Sequence, residues 1–126
     1  MKKRHRGYEI RYTKGMNYVI KTDDQNTSDL GSVRVTTILD SADCPHISVN
    51  KVEVTGEQRP GYDQQSDMAY YVLKGEGTFT IDGNEYSVCE GDLVYIPKGT
   101  TYHDTAGLTL LAIATPRFDP KQRVRS

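Results

Sequence analysis

The sequence predicts an all-β protein built as a sandwich or barrel, and three observations carry that prediction. Short β-favouring runs recur at roughly ten-residue intervals between turn residues. One hairpin, Gly77 to Val88, is explicit: its tip is Asp82-Gly83, the dipeptide that supplies the positive φ angles of a type I′ turn. Helix signals are almost absent. The helix-compatible stretch "DPKQRV" (119–124) is short and carries its proline at the entrance.

Taken in order, the first run is "YVIKT", Tyr18 to Thr22, where aromatic and branched residues favour an extended chain. A polar loop, "DDQNTSD", is expected from Asp23 to Asp29. "SVRVTTIL" (Ser32 to Leu39) and "HISVNKVEV" (His46 to Val54) follow, separated by the turn-forming "DSADCP". "AYYVLKG" leads into the hairpin through Gly75 and Gly77, where a tight reversal favours a residue without Cβ. Gly91-Asp92 turns the chain into "DLVYIP". Pro97 ends that strand because it has no N–H to give a ladder, and Gly99 opens the next bend. "LTLLAIAT" (108–115) closes the series.

A chain of 126 residues suits one domain. We expect a single domain over 1–126, with 1–30 as an N-terminal arm or strands suited to a dimer interface and 46–116 as the barrel core. A hydrophobic content of 36% is lean for an isolated globule, so a homodimer is expected. The net charge of -1 argues against nucleic acid as a partner. Basic residues gather in "MKKRHR" and "KQRVRS", which read as solvated tails. Cys44 and Cys89 form neither a disulfide framework nor a zinc signature. No run is long enough to span a membrane, and the N-terminus lacks the apolar core of a signal peptide, so a cytoplasmic location is expected.

The residues from Gly56 to Gly107 resemble the cupins, small β-barrels of jelly-roll (double-stranded β-helix) type. The first cupin motif, G-x5-H-x-H-x3-E-x6-G, finds its glycines at Gly56 and Gly75. The second, G-x5-P-x-G-x2-H-x3-N, finds Gly91, Pro97 and Gly99 within "GDLVYIPKG". The resemblance implies that four side chains converge in the barrel where cupins hold a metal. Here those positions read Tyr62, Gln64, Met68 and Tyr102, and the trailing Asn position is Ala106. Divalent first-row metals favour imidazole and carboxylate donors. The expectation is therefore no metal and no cofactor. A slipped register through Asp67 and His103 would need two opposed bulges, because a one-residue shift changes the face.

In an extended chain Tyr62, Gln64, Met68, Tyr70 and Val72 share one side. With Tyr102, and His103 at the rim, they predict a ligand wall of aromatic, amide and thioether groups. The plainer alternative is that these side chains simply fill the barrel. His46 alternates with Ser48 and Asn50 and could approach the barrel. Cys89 reads as a structural thiol, and Arg59 and Arg117 as solvated surface residues. The sequence thus points to a metal-free pocket for a small organic ligand, sugar-like or carboxylate. The alternative is a cupin-type enzyme, either a metal-independent isomerase or epimerase or a metal-dependent dioxygenase or lyase using His103.

Overall fold

Alternation of apolar and polar side chains decides how these strands stack. The computed structural model describes residues 18–22 and 26–126. It holds eleven strands among them: β1 (Thr27–Asp29), β2 (Val33–Leu39), β3 (Ser48–Val54), β4 (Gly61–Asp63), β5 (Asp67–Lys74), β6 (Glu76–Ile81), β7 (Asn84–Cys89), β8 (Leu93–Ile96), β9 (Tyr102–Asp104), β10 (Thr109–Thr115) and β11 (Arg123–Arg125). They form two antiparallel sheets, one in the order β1-β2-β3-β10-β5-β8 and the other β11-β4-β9-β6-β7. This is the expected all-β jelly roll.

The core lies between the sheets. Along β5 the side chains of Met68, Tyr70 and Val72 are buried, and β10 sets Ala114, Ala112 and Leu110 directly beside them. Ile96 and Val94 of β8 extend the same inner rows from the other side. Phe79 of β6 is fully buried, with its ring centroid 5.5 Å from that of Tyr70, so an aromatic pair ties the two sheets together.

The hairpin forms as expected: β6 and β7 pair from Ile81↔Asn84 outward, with φ of 54° at Asp82 and 86° at Gly83. Gly75 is required twice over. Its φ is 92°, and a Cβ there would meet the Gly107 carbonyl oxygen at 2.1 Å. β8 stops at Ile96, immediately before Pro97.

Three expectations are corrected. Residues 18–22 are exposed and belong to no strand, because none of their backbone groups finds a ladder partner. The loop expected from Asp23 to Asp29 contains β1, which pairs with β2 and is held by a 2.7 Å hydrogen bond between the Thr27 and Thr36 hydroxyls. "KQRVRS" is not a solvated tail. Its Arg123–Arg125 forms β11 on β4, after a 3-10 turn (Pro120–Gln122) in which Asp119 accepts from the Lys121 N–H. The "MKKRHR" stretch, and residues 1–17 and 23–25 of the proposed arm, lie outside the described residues. No helix among the described residues is long and apolar enough to cross a membrane.

Candidate functional site

A cavity of about 220 Å³ lies between the sheets. Its apolar side comes from β2 and β3, through Val33, Val35 and Val52, joined by Phe118. The opposite side is polar. There β9 supplies Tyr102 and Asp104, and β11 and the segment before β4 supply Arg123, Arg125 and Arg59, while Tyr70 of β5 reaches across from the first sheet to the Tyr102 hydroxyl.

Tyr102 is the hinge of the polar side. Its hydroxyl is hydrogen-bonded to that of Tyr70, and the two ring centroids are 5.7 Å apart. The Arg123 guanidinium carbon sits 4.5 Å from the Tyr102 ring centroid, a cation–π contact. Gly61 makes this arrangement possible. It pairs with Tyr102 on one side and Arg125 on the other, and a Cβ there would lie 2.5 Å from the Val124 carbonyl oxygen and 3.4 Å from Arg123 Nη2. Only a residue with no side chain lets β11 come this close and lets Arg123 cross to the ring.

Burial governs the protonation of these groups. It raises the Tyr70 hydroxyl well above the usual phenol range, with the neighbouring Tyr102 adding to the effect. Burial also raises Tyr102, opposed by the Arg123 charge. The Asp104 carboxyl is pushed up to about 6 by burial, although Arg123 and His103 favour its ionised form. Among the described residues Asp104 makes no ion pair. The two salt bridges among the described residues, Arg34–Glu53 and Arg117–Asp40, lie elsewhere.

Four of the six expected site residues come together: Met68, Tyr70, Tyr102 and His103 all line the cavity. Tyr102 is buried and His103 half-buried, as the strand register of β9 demands. Tyr62 and Gln64 do not line it, which corrects the expectation that the even positions share one side. On β4 it is Gly61 and Asp63 that are buried, and the chain then turns: Asp63 Oδ1 accepts from the N–H groups of Gln65 and Ser66 at 2.8 and 2.6 Å. The turn breaks the alternation before β5 begins. It leaves Tyr62 half-buried and Gln64 exposed, the Gln64 side chain reaching the Gln122 carbonyl at 3.5 Å.

The weaker candidates are also placed. His46 is exposed in a turn and off the cavity wall, although Ser48 and Asn50 line it. Asn50 accepts from Ile38 N–H, and Ser48 accepts from Phe118 N–H, so both brace the wall. Cys89 is exposed, and the nearby Asp92 charge pushes its thiol up, away from the reactive thiolate. Arg117 pairs with Asp40. Arg59, expected at the solvated surface, borders the cavity and donates to the Ser126 carbonyl at 2.9 Å.

The residues do not suit the metal that cupins hold. Among the described residues His103 and Asp104 are the sole imidazole and carboxylate on the wall, and Asp67 is taken up by the Lys98 N–H at 2.9 Å. No group of three or more His, Cys, Asp or Glu side chains among the described residues is placed to bind a metal ion.

Sequence reasoning missed Asp104, Arg123 and Arg125. Asp104 was within reach, since it lies two residues beyond Tyr102 on the same face. The arginines carried one faint signal, the alternation in "RVR".

Comparisons with known proteins agree with this fold. The Cupin domain family matches residues 51–107. An uncharacterized protein of Aquifex aeolicus is 36% identical over 98 residues, covering 75% of this chain and 81% of its own length. A variant of Streptomyces PAC13 with uridine superposes with a TM-score of 0.77 at 19% identity, covering 88% of this chain and 92% of its own; PAC13 is described as a nucleoside dehydratase. KdgF from a Halomonas species gives 0.72 at 14% identity over 84% and 99%. An RmlC-like cupin from Shewanella frigidimarina gives 0.64 at 17% identity over 80% and 89%. At these identities the solved structures speak to the fold.

Proposed function

The chain is a small cupin-domain protein, and from that premise we propose that its barrel binds a small organic ligand, sugar-like or carboxylate, without a metal. The observation that carries this reading is the two-sided cavity: an apolar wall facing hydroxyl, carboxyl and guanidinium groups. Apolar surface supplies affinity, and a few placed polar groups supply orientation. That the PAC13 barrel is seen with uridine supports ligands of this size in such a frame. The free thiols Cys44 and Cys89 fit a reducing, cytoplasmic setting.

The direct test is elemental analysis of the purified protein beside mass spectrometry of what it carries. A small organic molecule without stoichiometric transition metal is expected. About one metal per chain, lost in His103→Ala, would overturn the metal-free part.

One observation favours a second reading, a metal-independent isomerase or epimerase. Asp104, with a carboxyl near 6, is poised to take a proton from a carbon acid and return it at neutral pH. Arg123 beside it suits the negative charge that develops on the substrate oxygen. Under this reading, Asp104→Asn abolishes exchange of substrate hydrogen with solvent deuterium while ligand binding persists.

A further inference from the structure

β11 is short, but its alternation has a consequence. Arg123 and Arg125 fall on one face and Val124 on the other, and pairing with Asp63 and Gly61 turns the arginine face to the cavity. Arg59 joins them from the segment before β4. None of the three is in an ion pair among the described residues. Arg123 is half-buried on the Tyr102 ring, and Asp104 is the lone carboxylate on the wall among the described residues. The cavity therefore gathers three guanidinium groups against one carboxyl. Arg123 is the partly desolvated one, with Asp104 near it, while Arg59 and Arg125 are exposed. Together they leave a surplus of positive charge that an arriving anion would match. A guanidinium presents its N–H fork in the plane, so an arginine stacked on a ring still offers its edge to an oxyanion.

We propose that the ligand of this cavity carries an oxyanion, phosphate or carboxylate, held between Arg123 and Arg125. Its uncharged body lies on the apolar wall of β2 and β3. The proposal rests on the barrel being a binding site and adds the charge class of what it binds. Arg59, fixed to the Ser126 carbonyl, adds positive potential at the opening without needing to touch the anion.

Nuclear magnetic resonance titration of the full chain tests this, reading backbone amides and the arginine Nε–H signals. Three probes are used: glucose 6-phosphate, glucuronate and glucose. One or both anions should shift Arg123 and Arg125 saturably and bind at least about tenfold tighter than glucose, roughly the worth of one charge-assisted hydrogen bond. Which anion binds tighter assigns phosphate or carboxylate. Arg123→Gln should weaken the anion about tenfold. Arg125→Gln, at an exposed position, gives a second reading should the first variant disturb the barrel, and it should weaken the anion while the amide spectrum stays otherwise unchanged. Equal affinity for glucose and the anions would overturn the proposal while leaving the binding reading intact. Anion affinity unchanged in both variants would do the same. No saturable shift from any probe would count against both.

Discussion

Asp104 is a carboxyl group held where burial penalises its charge, and that has a thermodynamic signature. The folded protein keeps this proton up to about pH 6, whereas the free side chain releases it near 3.8. Folding therefore takes up a proton between these values, and stability falls as pH rises through the window, by up to about 3 kcal/mol. Asp104→Asn should be more stable than the parent by an amount that grows from pH 4 to pH 6 and then levels off. Denaturant titrations across that range check it, and a pH-independent difference would contradict it. The neighbours in β9 should differ as sharply. Tyr102→Ala removes a buried aromatic and should cost about 3–5 kcal/mol, while His103→Ala, half-buried at the wall, should cost about 1 kcal/mol or less. Equal losses would mean that the strand does not alternate there. The inward turn of Tyr102 is legible in the sequence because the second cupin motif sets its register. The same register does not reach Tyr62, because the Asp63 turn, a matter of side-chain hydrogen bonds, intervenes before β5.

Strand length decides which elements the sequence shows. β2, β3, β5, β6, β7, β8 and β10 are long enough, or bounded well enough by Gly and Pro, to display alternation and turn chemistry. β1, β4, β9 and β11 have three residues each, too few for a period of two to stand out from chance. Tyr18 to Thr22 has the opposite fault, a β-type composition with no partner strand to satisfy its backbone. The site suffers most from this, since β9 and β11 carry its charged groups. Gly61 gives the element-level test. Gly61→Ala drives a methyl group into the Val124 carbonyl and should displace β11 from β4, at a cost of about 1–3 kcal/mol. Hydrogen exchange should quicken at the Val124 and Ser126 amides, which face β4 in this antiparallel ladder, while β5 and β10 stay protected. Unchanged exchange would show that the strand accommodates the methyl group elsewhere.

Across the whole molecule, apolar surface is unevenly distributed. The outer face of β5 and β8 leaves Tyr71, Leu73, Leu93 and Tyr95 exposed, at 41%, 37%, 61% and 60%, on the edge of the six-stranded sheet. An apolar patch beside an open edge invites pairing with a second copy, as the lean composition also predicts. Light scattering should therefore give a dimer at micromolar concentration, and Leu93→Lys with Tyr95→Glu should shift it to monomer without altering the fold. A parent protein that is already monomeric would refute this. The pairing of β11 with β4 carries a different consequence, one of timing. It joins Arg123 to Asp63 across half the chain through three residues, so it returns little energy for the loop it closes. It should therefore form after the sheets have condensed. In stopped-flow refolding, burial of the tyrosines should run ahead of the recovery of ligand binding. The barrel acquires its shape first and its charge selectivity last, so a newly folded molecule passes through an interval in which it is a closed container without a lock.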